Sequence, residues 1–247
     1  MSGAKDMRAR MREQSSFSAV RALCMAFGAW SGVSGIEHGF FEILQGNVPP
    51  VTHIISGKPM IYAIGEADRM WRYGYEYAIT IVPSYSWTGV LAAVSGLLVL
   101  VCSLAFIQKR LGWLAFILLS TMQYLVGGGY AQFAPALIIG LLATRIRKPF
   151  SWRRIPAPIG LLRAMALPWL PLLVALGFVC LNGTATAVTG WFYGVMSDEK
   201  VLKAQWSLLY ILFGLFPLTA ISALSRDSLS AVERREGKGE GLSLQLH

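Results

Sequence analysis

Apolar residues run in long unbroken blocks along this chain, and polar residues gather at the block ends. The blocks cover residues 18–45, 77–107, 111–126, 130–146, 161–181 and 205–224. Four of them reach the roughly 18 to 20 residues that a helix needs to cross a bilayer. Backbone polar groups cannot go unpaired in lipid, so the pattern predicts helices. The expected fold is all-α, a polytopic transmembrane bundle of about six helices. The third and fourth blocks are each roughly 25 Å long as helix, and Gly127-Gly128-Gly129 joins them. They form two thin spans or a re-entrant hairpin. Two spans are favoured, because ordinary spans can be this short.

A finer pattern lies on the first block. At 100° per residue, Gly28, Gly32, Gly35 and Gly39 share one face. Such a face lets another helix backbone approach closely. The second block offers a matching stripe in Ser86, Gly89, Ala93 and Gly96, so the two helices are expected to pack through them. Beside the glycines runs a polar stripe of Ser31, Ser34, His38, Glu42 and Gln45. His38 and Glu42 are four residues apart and can meet, whereas Glu37 points elsewhere.

Hydrophobic residues make up 55% of the 247-residue chain and charged residues 14%, against about 25% charged in an ordinary soluble domain. The class is integral membrane protein. The net charge of +9 does not indicate nucleic acid, because the basic residues cluster at the block ends. With both termini in the cytoplasm, 17 of the 22 Lys and Arg residues fall on the inner side. This predicts a multi-pass plasma (inner) membrane protein, N-in and C-in. Residues 1–17 form a basic cytoplasmic segment able to rest on anionic lipid. The transmembrane domain is 18–224, and 225–247 is expected to be a disordered tail. Residues 46–76 are expected to form an ordered, aromatic-rich extracytoplasmic cap, and 182–204 a second outer loop carrying Trp191-Phe192-Tyr193. The first block is too long for a signal peptide and reads as a retained helix. Cys24, Cys102 and Cys180 each lie in an apolar run and read as small core residues.

Ionisable groups in or near spans mark candidate sites. The candidate binding residues are His38, Glu42 and Gln45, with His53 from the cap and Gln123 and Gln132 beside the glycine turn. They face the outer leaflet, since His38 lies roughly 24 Å up a core about 30 Å thick. The stripe is the wet end of a helix hydrogen-bonded to its cap, a site for a quinone, lipid headgroup or small solute, or part of a metal site. His38 and Glu42 supply two ligands where a catalytic metal usually takes three from the protein. No catalytic or metal-ligating residue is assigned. Pro83, Pro135, Pro168, Pro171 and Pro217 fall in four spans and are expected to kink them. No HExxH, GxSxG, Walker or Rossmann pattern occurs. His38 is the one histidine inside a span, which argues against a haem held by two in-chain histidines.

Gly35-Ile36-Glu37-His38-Gly39, then Glu42 and Gln45-Gly46-Asn47, joined to Ile64-Gly65, Ile81-Val82-Pro83 and Thr88-Gly89, carry a resemblance. Over about residues 32–89 the chain resembles an uncharacterised family of prokaryotic multi-pass membrane proteins. The resemblance implies that the first helix, cap and second helix form one unit in a prokaryotic host, and it brings no activity. Three functions follow as expectations. The first is non-enzymatic binding or transport of a small molecule at the polar stripe. The second is an accessory subunit of a larger membrane complex. The third is an outer-leaflet enzyme using Glu42 and His38. The expected partners are membrane lipids, other membrane subunits or further copies of the chain.

Overall fold

The computed structural model describes residues 18–55, 58–64, 78–129, 131–147, 159–189 and 198–236, with the backbone alone over 51–55, 58–64, Ala78, 188–189, Asp198 and 234–236. The first described element is α1 (Ala19–Leu44). Three strands follow, β1 (Val51–Ile55), β2 (Lys58–Ile64) and β3 (Ala78–Thr80). Next comes α2 (Tyr85–Val101), which widens into a π-helical segment over Cys102–Phe106. Helices α3 (Gly112–Leu125), α4 (Phe133–Ala143), α5 (Ile159–Ala166), α6 (Trp169–Thr189) and α7 (Asp198–Glu236) complete it. Four stretches are long and apolar enough to cross a membrane: α1, Tyr85–Phe106, Ile159–Ala187 and Glu199–Glu233. Their outward positions, among them Val94, Leu97, Phe178 and Phe213, are exposed hydrocarbon. In water such faces mark aggregation or interaction surfaces; on a membrane bundle they meet lipid.

Helix α1 is the axis of the bundle. It packs against α2, α4, α6 and α7, and most extensively against α2. The α1–α2 contact is backbone on backbone. A Cβ added at Gly32 would stand 2.6 Å from Leu100 N and 2.7 Å from Gly96 O. One at Gly89 would stand 2.6 Å from Gly39 O, and one at Gly39 would reach Ala93 Cβ at 2.8 Å. The other two glycines of the α1 face serve the neighbouring helices. Gly28 lies under Ser103 and Phe116, and Gly35 under the side chain of Gln123. Phe27 joins α1 to α7 by an edge contact with Phe216 at 5.3 Å. The core around this axis holds Leu23, Val99, Ile107, Phe116 and Ile139.

The two short helices traverse most of the height of α2. At one end Gly112 passes over the carbonyls of Phe106 and Ile107. At the other, Thr88 Oγ1 donates to Val126 O at 2.7 Å. From Thr88 to Ile107 is roughly 28 Å of helix. Helix α4 then descends along α1 from Gln132, beside Ser34, to Ile139, whose carbonyl accepts from Cys24 Sγ at 3.6 Å.

Between α1 and α2 the described residues are not helical. The strands form an antiparallel sheet in the order β1-β2-β3, with Thr52 opposite Tyr62 and Tyr62 opposite Thr80. The expected second span, 77–107, therefore begins with a strand, and its helix starts only at Tyr85. Local chemistry explains the delay. The Thr88 hydrogen is used on Val126 O, so Thr80 donates to Thr88 Oγ1 at 2.5 Å, while Val82 N–H donates back to Thr80 Oγ1. The first free N–H groups of α2 are met by the loop after α1: Tyr85 N–H donates to Val48 O and Ser86 N–H to Gly46 O. Gly46 has φ of +80°, a conformation that favours glycine.

At the opposite end the last helix caps the first. Asp227 of α7 accepts from Ser18 Oγ at 2.5 Å, Ala19 N–H at 2.7 Å and Val20 N–H at 3.2 Å. A carboxylate there meets both the unpaired amides and the positive end of the helix dipole. Residues Ser18 and Asp227 thus share one end of the bundle. The expected disorder from 225 does not hold as far as 236, where α7 remains helical. Leu229 packs on Leu162 and Ala166 of α5, and Ser222 Oγ donates to Met165 O at 2.7 Å. That apolar contact is what the charge and serine content of the segment conceals.

The prolines are also corrected. Among those named, only Pro217 lies in a helix interior. Pro83 precedes α2, Pro168 separates α5 from α6, and Pro135 and Pro171 stand in the first turns of α4 and α6. First-turn amides need no helical partner, so proline costs nothing there. Residues 1–17, 65–77 and 237–247 and the patch Trp191-Phe192-Tyr193 lie outside the described residues.

Two stability outcomes are expected. Gly96→Leu forces a side chain into the Gly32 backbone and should cost about 3 kcal/mol or more, read as a lower thermal unfolding midpoint in detergent. Gly214→Ala, where no atom lies within 4 Å, is the control and should not lower it. Asp227→Ala removes the cap of α1 and should cost about 1–2 kcal/mol in the same assay. An unchanged midpoint in either variant contradicts the packing or the cap.

Candidate functional site

The polar stripe of α1 is divided by its neighbours. Ser31, Ser34, His38 and Glu42 are all buried, while Gln45 at the helix end is half-buried and donates to Phe41 O at 3.5 Å. Glu42 is fully enclosed, at 0% exposure. His53 lies on β1, where only the backbone is described. Among the described residues no three His, Cys, Asp or Glu side chains come together as a metal-holding group.

Gln123 and Gln132 brace the turn between α3 and α4 against α1. Gln123 Nε2 donates to Ser31 O at 2.9 Å and to Gly128 O at 3.2 Å. With the Gln132 carboxamide oxygen facing Ser34 Oγ, its nitrogen donates to Gly128 O at 3.2 Å and Gly129 O at 3.3 Å. The glycines are needed for this. Gly127 and Gly129 have φ of +94° and +98°, and a Cβ on Gly129 would stand 2.7 Å from His38 Nε2. Tyr124 stacks on Phe133 at 4.3 Å and closes the hairpin. Gln123 keeps a buried carboxamide oxygen with no partner among the described residues, and of the two glutamines Gln132 presents a second face, toward α6 and α7.

That second face opens on a cleft between α1, α6, α7 and the α3–α4 turn. Ser34, His38, Gln132, Thr184 and Gln205 supply its polar wall; Trp30, Leu208 and Leu212 are among the apolar ones. The cleft has an open-sided volume of about 600 Å³, but only about 60 Å³ of it can take the centre of a water-sized sphere. A single water centre needs roughly 10–15 Å³. The site suits a few waters or one small polar group. Among the described residues no Lys, Arg, Asp or Glu lines it. Trp30 Nε1 donates to Thr184 Oγ1 at 3.0 Å, and Thr184 Oγ1 donates to Cys180 O at 3.1 Å, which fixes the indole. Gln205 Oε1 is buried in this wall with no hydrogen-bond partner among the described residues.

No family model, curated protein or solved structure matches the chain.

The structure thus brings His38 and Gln132 together and leaves Glu42, Gln45 and Gln123 off the cleft. The sequence reading missed Trp30, Thr184 and Gln205. Thr184 lies just past the expected end of the fifth span and Gln205 opens the sixth, so their polarity reads as ordinary span-end chemistry. The cysteines are all buried and free. Cys24 and Cys102 donate to the carbonyls of Ile139 and Gly112, while Cys180 lines the cleft.

Replacing Gln123 by Leu leaves Ser31 O with no side-chain donor in an apolar surround. The expected cost is about 1–3 kcal/mol in the detergent unfolding midpoint. Binding at the cleft should survive in the folded fraction. A stable Gln123→Leu variant would show that the glutamine is not a strut.

Proposed function

We propose that this chain is a non-enzymatic membrane protein that binds or moves a small molecule at the cleft beside His38. One observation carries the reading: a concave site inside an apolar bundle gathers neutral donors and acceptors from three helices and a turn, and leaves the Gln205 oxygen unused. Ligand pockets are mostly apolar clefts with a few placed polar groups. Glu42 is enclosed away from this cleft. A reaction there would fall to His38 without the carboxylate, so binding is better supported than catalysis.

The topology belongs to the same proposal. The helices alternate in direction, with α5 and α6 running together as one, and Ser18 and Asp227 stand at one end. We place six spans in a prokaryotic inner membrane, with that end cytoplasmic and the sheet outside. The support is the lysine and arginine bias of the connecting segments and the height covered by α3. The cleft then opens in the outer leaflet.

The test is native mass spectrometry of the chain released gently from its own membrane, beside a His38→Ala, Gln205→Ala double variant. The expected result is a small-molecule mass on the wild type that falls at least about tenfold in the variant, as loss of one or two hydrogen bonds implies. Bare chains in both preparations overturn the reading. Added mass from a partner chain, unchanged in the variant, turns it toward a subunit of a larger complex.

A further inference from the structure

The cleft does not end at Trp30. On its other side an apolar groove runs between α1 and α6, lined by Ala29, Val33, Leu173, Leu176, Gly177 and Leu181. Trp30 and Cys180 line both spaces. The groove is wide, with an open-sided volume of about 730 Å³, and apart from the indole N–H and the Cys180 thiol its side chains are hydrocarbon.

The order of the two spaces is set by the helices. Along α1 the lining passes from Ala26–Val33 to Ser34 and His38, and along α6 from Leu173–Leu181 to Thr184 and Ala187. Both helices change from hydrocarbon to polar in the same direction, toward the sheet end. From Ala26 to His38 is roughly 18 Å of helix. A polar space and an apolar space therefore stand end to end along the bundle axis, as head and tail do in one leaflet.

Building on the binding function proposed above, we infer that the ligand is an uncharged amphiphile, a small oxygen-bearing head on one long apolar tail. The head occupies the cleft at His38, Gln132 and Gln205, and the tail lies in the α1–α6 groove. The head is uncharged because, among the described residues, no cationic or anionic side chain lines the cleft, and a buried charge without a partner is costly. It bears a hydroxyl because an uncharged O–H can donate to the buried Gln205 oxygen, or accept from the Gln205 nitrogen when the carboxamide is turned over. The tail gains little by leaving lipid for protein, since lipid chains are as apolar as leucine. Head hydrogen bonds supply the selectivity, and the groove supplies shape.

The glycines of the two spaces provide separate plugs. Gly177 lies in the groove and Gly183 in the cleft, and a Cβ on either meets no atom within 4 Å. The full chain in liposomes is given a long-chain alcohol with a diazirine midway along its tail, or the phosphate monoester of the same molecule. After photolysis the cross-linked residues are mapped by mass spectrometry. The alcohol is expected to label groove residues at least about fivefold more than the phosphate does, the ratio one hydrogen bond implies. Labelling should fall by a similar factor in Gly177→Phe, in Gly183→Leu and in Gln205→Ala. Three results overturn the inference: equal labelling by alcohol and phosphate, labelling of Val94 and Leu97 on α2 as strong as that of the groove, or labelling indifferent to Gly177→Phe. If the native molecule is lost with His38 and Gln205 while the tail labels every lipid face alike, the binding function stands and the groove does not. If the groove selects the alcohol but no native molecule is retained, the tail site stands and the binding function loses its support.

Discussion

The close approach of α1 to α2 is the constraint on which the rest of this fold depends. Gly32 against Gly96 and Gly39 against Gly89 bring two helix backbones together without side chains between them. Packing of this kind works in a bilayer, where hydrophobicity gives no reason for helices to associate and van der Waals contact must do so. It also fixes rotation. With its glycines turned to α2 and α3, α1 must direct Ser34 and His38 inward, toward the α3–α4 turn and α6. A helix that buries Cys24, Phe27, Ser31 and Glu42 alike cannot lie at the edge of a bundle. The other helices are arranged around it.

A second constraint follows from the first. Polar groups enclosed by an apolar bundle need partners, because an unsatisfied group there costs about 1–3 kcal/mol. Most find them in short relays that also join helices. The Thr80–Thr88–Val126 chain holds the sheet to α2 and α3. Gln123 and Gln132 hold the glycine turn to α1. Asp227 holds α7 to the start of α1. Trp30 and Thr184 hold α1 to α6. The cleft differs from these in gathering polar groups from several elements around open space, the unmatched Gln205 oxygen among them.

The parts legible in the sequence are those set by period alone. Long apolar blocks give membrane helices, and the glycines at 100° spacing lie on one face of α1. What period cannot show is how a face is shared. Gly32 and Gly39 go to α2, while Gly28 and Gly35 go to its neighbours. Nor does residue type show position within an element. Four of the five named prolines look like kinks in a hydropathy trace and prove to stand before helices or in their first turns. The strand at Ala78–Thr80 is hidden because Ala, Ile and Thr continue an apolar block. The end of α7 is hidden for the opposite reason, since Ser and Arg residues obscure the single leucine that packs on α5.

The stretch around His38 shows why the candidate site was only half visible. Sequence places His38, Glu42 and Gln45 on one stripe and treats them as a unit, because nothing along a single helix separates them. The neighbours do the separating. Helix α6 and the glycine turn leave room beside His38, where the backbone of Gly129 takes the place of a side chain. One turn further on, Glu42 has no exposed surface. A carboxylate removed from the cleft changes its chemistry from charged to neutral. A cleft whose described lining is neutral discriminates by hydrogen-bond geometry and shape, since those residues offer no charge with which to attract an ion. That is the property expected of a site for molecules that already live in the bilayer, which arrive sideways through lipid and present an oxygen at the depth where Gln205 waits.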